Sequence, residues 1–269
     1  MADPRAEPLA RLAARLRAAG SVFAEEEAAI LAGAAADDEE LESLVLRRIA
    51  GEPIEPLVGW VRFGALRLSI GPGVFVPRQR SVRLARLAVR RVRAHDAAVA
   101  GRPPVMLEAY CGVAPLAATV AASVAAVMVH AADADPAALA YARRNLPATA
   151  GVHLSDGLDG LPAELAGRIH VIAAVPPYVP ESELALMPRE AREFEPSAAL
   201  VGGGRDGLDQ VRRLVADAPV WMTDGGSVLV ELHAAQLAPA AAEARSAGWR
   251  CRIHRPSDAR TGVLELIAG

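Results

Sequence analysis

From residue 82 onward, short apolar runs alternate with longer stretches of helical spacing. Helices are expected at 82–95, 114–124, 136–145, 207–218 and 235–247. Strands are expected at 105–107, 126–131, 152–154, 169–174 and 227–232, with a closing pair near 250–255 and 262–267. This alternation predicts an α/β fold, a mostly parallel sheet with helices on both faces. Ligands of such sheets bind beyond the carboxyl ends of the strands. The loops 108–115, 133–136, 155–160 and 174–180 all fall at those ends, on one edge. Residues 175–206 read as one long loop.

The preceding residues follow other rules. Leu9, Leu12, Leu16 and Ala19 recur at helical spacing, and Gly20 ends that segment. Ser21 is placed to cap a second helix, with Glu25, Glu26 and Glu27 near its positive dipole end. Asp37 or Asp38 starts a third helix, which runs through Ala50 and stops at Gly51. These short helices bury little alone, so residues 1–56 are expected as an accessory helical domain. Val58, Trp60, Val61, Phe63, Leu66, Leu68 and Ile70, broken by Gly59 and Gly64, suggest a β-hairpin linker over 57–78. The main domain is then 79–269.

Composition narrows the class. Hydrophobic residues make up 52%, enough for a large core, and all 29 basic residues are arginine. A net charge of −3 provides no strongly basic field, so no direct nucleic-acid binding is expected. The basic run Arg78 to Arg93 reads as the solvated face of a helix. Cys111 and Cys251 are too few for a disulfide framework, and no His/Cys cluster has metal spacing. The opening Met-Ala-Asp-Pro-Arg lacks the apolar stretch of a signal peptide. The apolar run Val113 to Val129 is interrupted by Pro115, Thr119 and Ser123, and reads as helix plus strand rather than a membrane span. A cytoplasmic protein with no membrane partner is the expectation.

The loops carry the chemistry. Glu108 to Pro115 follows a strand and opens a helix, a place where backbone can approach an anionic or polar ligand. Of its possible glycines only Gly112 remains. About twenty residues on, Asp133 ends the next strand, where a carboxylate can accept both hydroxyls of a ribose. Asp135 is better placed to cap the helix at Pro136. Asp156-Gly157 either accepts from an adenine amino group or makes a plain turn. The strand 169–174 ends at Val175-Pro176-Pro177-Tyr178.

Together these segments resemble a family. From about Gly51 to Glu231 the chain resembles the class I S-adenosylmethionine-dependent protein glutamine methyltransferases, which modify peptide chain release factors. An actinobacterial branch is the most similar. The segments that carry the resemblance are Arg47 to Pro53, Gly73 to Arg78, Asp133 to Pro136 with Ala142 to Asn145, Pro177 to Pro180, and Glu190 to Pro196 through Gly202 to Leu208. The resemblance implies a Rossmann-like class I methyltransferase domain behind a small N-terminal helical domain. It implies that Glu108 and Gly112 line the methionine part of S-adenosylmethionine, Asp133 holds the ribose, and Asp156 with Gly157 meets the adenine. Val175, Pro176, Pro177 and Tyr178 would frame the acceptor amide as the catalytic loop. Phe75, Pro77 and Arg78 would shape the pocket, and 190–207 would cover the substrate. No metal is required.

The chain departs from the family's pattern in the same loops. The family's first loop reads acid-x-Gly/Cys-x-Gly-Ser-Gly. Here Tyr110 takes the first of those small positions, Val113 replaces Ser, and Ala114 replaces the last Gly. Alanine tolerates positive φ poorly, so the backbone is expected to take another path. Val175 replaces the Asn of Asn-Pro-Pro-Tyr, whose side chain accepts an amide hydrogen in the family. An amide hydrogen buried without an acceptor costs on the order of 1–3 kcal/mol. Three readings follow: amide methylation of a release factor, a methyltransferase-like binding or regulatory protein, or methyl transfer to a small molecule.

Overall fold

The computed structural model describes residues 6–96, 102–256 and 259–268. The opening five residues, read above for a signal peptide, lie outside the described residues. Four helices lead the fold: α1 (Ala6–Ala18), α2 (Ala24–Ala34), α3 (Asp38–Ile49) and the short α4 (Ile54–Val58). They enclose their own apolar cluster, with Leu12, Leu16, Leu31 and Val45 buried. Asp37 caps α3 by accepting from the Glu40 N–H at 2.8 Å. Ser21 does not cap α2: two further residues intervene before the helix starts, and its hydroxyl is buried without a partner.

An antiparallel hairpin follows, β1 (Trp60–Phe63) with β2 (Leu66–Ser69). It is shorter than the sequence pattern suggests, because Val58 closes α4 and Val74 and Val76 are buried in loop. The chain then enters α5 (Val82–Asp96), β3 (Val105–Ala109), α6 (Pro115–Ser123), β4 (Met128–Asp133), α7 (Pro136–Asn145), β5 (Gly151–Leu154) and β6 (Ile169–Ala174). Residues 175–206, expected as plain loop, contain α8 (Arg189–Phe194) and short 3₁₀ turns. The remainder is α9 (Asp209–Trp221), β7 (Met222–His233), α10 (Ala234–Ser246), β8 (Arg250–His254) and β9 (Thr261–Ile267).

The strands order as β5-β4-β3-β6-β7-β9-β8. Strands β3 to β7 run parallel, and β9 is antiparallel to both β7 and β8. Side chains alternate across a strand, and here both sides are covered. Met106, Val171, Ala173 and Leu229 join one core with residues of α5, α6 and α7. Leu107, Ile172, Ala174, Val228 and Val230 join a second with residues of α9 and α10. Double burial explains why these strands read as continuous apolar runs. The chain leaves β3 toward β4 on one side, and β6 takes the other. That reversal opens a crevice above the carboxyl ends of β3 and β6. Among the described residues no helix is long and apolar enough to cross a membrane.

Candidate active site

A cavity of about 320 Å³ lies over this crevice. Of the residues singled out from the sequence, Glu108, Gly112, Asp133, Asp156, Gly157, Phe75, Pro77, Arg78, Val175 and Pro177 all line it. Pro176 and Tyr178 do not. Pro196, Ala198 and Ala199 form part of the wall, so the segment after α8 reaches the cavity.

The loop after β3 keeps a glycine-like path with only one glycine. Tyr110, Gly112 and Ala114 are all left-handed, with φ of 54°, 53° and 62°. The expected diversion at Ala114 does not occur. Its left-handed backbone costs roughly 1 kcal/mol, and Pro115 at the first turn of α6 has no N–H to leave unmet. Asn145 steadies the loop from outside: its amide donates to the Val113 carbonyl at 2.9 Å and brackets Ser69.

Two acids face this loop. Glu108 accepts from the Ala117 N–H at 2.6 Å, at the positive end of α6. It is buried, and burial pushes its carboxyl up to about 8, with Asp133 adding to the rise. Asp133 accepts from the Gly112 N–H at 2.7 Å and from the Asp135 N–H at 2.9 Å, which fixes both of its oxygens. Burial nevertheless raises its carboxyl above the ordinary value. Asp135 caps α7 through Ala137, as its position suggested. Among the described residues neither Glu108 nor Asp133 has an ion-pair partner. A buried carboxylate without a cation bears a desolvation penalty, so the site suits a positively charged ligand. A Cβ at Gly112 would meet nothing within 4 Å, so the loop presents open space there. A sulfonium nucleoside with an amino acid tail, carrying hydroxyls for Asp133 and positive charge beside Glu108, fits these features.

The opposite wall is apolar and braced from behind. Val175 packs on the core between the sheet and α5–α7. Beyond it, Val179 donates to the Leu200 carbonyl at 2.9 Å, and Gly202 donates back to Val179 at 3.0 Å. Gln236 of α10 donates to the carbonyls of Tyr178 and Asp206, at 2.8 and 2.7 Å. Tyr178 was expected against the substrate. Its hydroxyl instead accepts from Arg80 at 3.1 Å, and its ring packs on the core beside α9 and α10. Arg80 also pairs with buried Glu231 at 3.4 Å, and the Ser81 hydroxyl donates to the same acid at 3.0 Å. Arg78 joins Phe75, its guanidinium 5.0 Å from the ring centroid, and pairs with Glu195.

Several of these positions carried no role in the sequence reading. Glu231 could have been found as an acid inside an apolar strand. Glu195 sits within a segment already singled out. Gln210, on the cavity wall, and Gln236 have no sequence signal beyond being polar residues on helices. Among the described residues no group of His, Cys, Asp and Glu could hold a metal ion.

No protein-family model matches the chain. Curated proteins do. The release factor glutamine methyltransferase of Deinococcus radiodurans is 34% identical over 207 residues, which is 77% of this chain and 71% of that protein. The release factor glutamine methyltransferase of Streptomyces coelicolor is 34% identical over 70% of this chain and 65% of its own length. A 4-amino-L-phenylalanine/4-methylamino-L-phenylalanine methyltransferase of Streptomyces pristinaespiralis is 33% identical over 79% of this chain and 72% of its own. The chain thus spans 65–72% of the length of these relatives. Among solved structures, a methyltransferase of Pyrococcus furiosus superposes with a TM-score of 0.54 at 17% identity, covering 85% of this chain and 98% of that one.

Proposed function

Because the chain belongs to the release factor glutamine methyltransferase family, with its Rossmann-like class I fold, we propose that it methylates the side-chain amide nitrogen of a glutamine in a peptide chain release factor. The observation that carries this reading is one of position. Val175 and Pro177, just after β6, line the same cavity as buried Glu108 and part-buried Asp133, neither of which has an ion-pair partner among the described residues. S-adenosylmethionine, when bound, supplies an electrophilic methyl group on a sulfonium sulfur.

The chain's own residues do the rest. Asp133, held by two N–H donors, is oriented to accept from ribose hydroxyls. Glu108 balances the positive charge of the methionine end. Phe75, Val113 and Pro177 make an apolar wall that excludes water and strengthens electrostatic contacts within. The Pro176 carbonyl receives no hydrogen bond among the described residues; Pro176 is buried behind the cavity lining, so this reading requires the loop to turn that carbonyl toward the amide as the acceptor enters. Val175 supplies shape but no second acceptor. The glutamine amide is therefore positioned by one hydrogen bond and by packing, and the reaction is a direct in-line displacement at the methyl carbon. No covalent bond to the protein is needed. Such an acceptor implies action in the cytoplasm, and nucleic acid has no part in this reading.

The test is incubation of the purified protein with S-adenosylmethionine and a release factor, followed by peptide mass analysis. A glutamine-bearing peptide heavier by one CH2 is expected. An unchanged release factor, with the cofactor shown by calorimetry to bind, would remove this acceptor.

A further inference from the structure

We propose that Gln210, held in place by Tyr110, reads the nucleobase of the cofactor, and that Asp156 does not. The proposal rests on the cofactor reading above and names a residue for it. Asp133 marks the ribose, at the end of β4, and Glu108 the methionine end, on β3. The base then lies toward Asp156 and Gly157, beyond β5.

At that end Asp156 accepts from the Arg213 guanidinium through one oxygen, Oδ2, at 2.6 Å, and its side chain is 63% exposed, so a contact from its other oxygen to the base would compete with water. Gln210, in the first turn of α9, faces the same space. The Tyr110 hydroxyl reaches its side-chain oxygen at 3.2 Å and its carbonyl at 3.4 Å. A Cβ at Gly157 would lie 3.0 Å from that hydroxyl, so the missing side chain gives Tyr110 its room. Among the described residues nothing accepts from the Gln210 Nε2.

A carboxamide presents a donor and an acceptor side by side. Adenine presents the complementary pair, an amino donor beside a ring nitrogen. The Tyr110 hydroxyl donates to the carboxamide oxygen at 3.2 Å; turned around, the amide would make that hydroxyl an acceptor and leave its hydrogen only the longer contact to the Gln210 carbonyl at 3.4 Å. A 6-oxo purine presents an acceptor where adenine has its amino donor, and is therefore mismatched.

The experiment is calorimetric titration with S-adenosylhomocysteine and with S-inosylhomocysteine, which differ only in that edge. The native protein should prefer the adenosyl ligand by about tenfold or more. Gln210→Leu and Tyr110→Phe should reduce the preference to about threefold or less, and Asp156→Asn should preserve it. Equal native affinity for both ligands overturns the proposal. So does a preference that survives Gln210→Leu and collapses in Asp156→Asn. Native protein that binds neither ligand removes the cofactor reading as well, whereas normal discrimination without release factor methylation removes only the acceptor.

Discussion

Arg78 donates from one guanidinium nitrogen to both carboxylate oxygens of Glu195, at 2.6 and 2.8 Å. The pair ties the loop that precedes α5 to the segment that leaves α8, and both segments wall the cavity. Glu195 is buried, and burial raises its carboxyl despite the arginine.

Arg78→Ala leaves that carboxylate without its cation. At pH 8 the variant is expected to lose about 3 kcal/mol of stability. At pH 4, below the ordinary carboxylate value that burial raises here, the loss should be smaller, because a protonated Glu195 carries no uncompensated charge. The sign follows from the raised folded-state value: stability held at low pH drains away as pH rises. Urea unfolding at the two pH values measures it, and equal losses at both would contradict an ionised pair.

Glu108, pushed up to about 8 against an ordinary 4.5, holds its proton in the ligand-free protein at pH 7. A bound cation favours the ionised form. Binding of S-adenosylhomocysteine, which keeps the α-ammonium, is therefore expected to release up to about one proton at pH 7. The slope of binding enthalpy against buffer ionisation enthalpy gives the number. Glu108→Gln should abolish the release; if it persists, another group titrates. Without ligand, the same group should make stability fall between the unfolded value and about 8, and the Gln variant should flatten that fall.

Ala114→Gly relieves a left-handed backbone with φ of 62° and ψ of 48°. The expected gain is about 1 kcal/mol, or roughly 2–4 °C in thermal midpoint for a chain of this size. A loss instead would mean that the alanine methyl's burial outweighs the strain.

Val175→Asn restores an acceptor on the cavity wall. If amide methylation is the native reaction, its rate should rise by about tenfold, the lower part of the 1–3 kcal/mol for satisfying a buried amide hydrogen. Single-turnover labelling of the release factor reads this directly. A variant no faster than the parent would show that the second hydrogen bond is not what limits the step.

Much of this architecture was legible in the chain. Period and length alone gave α7 and β6 to the residue, because Asp135-Pro136 and the apolar run from Ile169 are unambiguous local signals. The acids at the strand ends were legible for the same reason: a doubly buried sheet leaves room for most polar groups only at its rim, with Glu231 and Glu265 as exceptions within strands. What failed was whatever depends on distant partners. Ser21 looked like a cap, but the cap is set by where α2 is pulled by its own cluster. Ala114 looked incompatible with the loop, yet neighbours such as Asn145 over-determine its conformation. Tyr178 pointed to the substrate by analogy, and only the positions of Arg80 and Gln236 turn it away. Gln210 and Tyr110 lie 100 residues apart, so no local pattern links them.

Gln236 has a mechanical consequence. One amide group grips two strips of backbone, at Tyr178 and at Asp206, and neither strip can swing without stranding a hydrogen in a dry place. The back of the acceptor loop is in effect bolted to α10. If the acceptor is a polypeptide, room for it must come from the other jaw, the 3₁₀ turns and α8 between Pro180 and Ala199, where Leu186 stands 82% exposed.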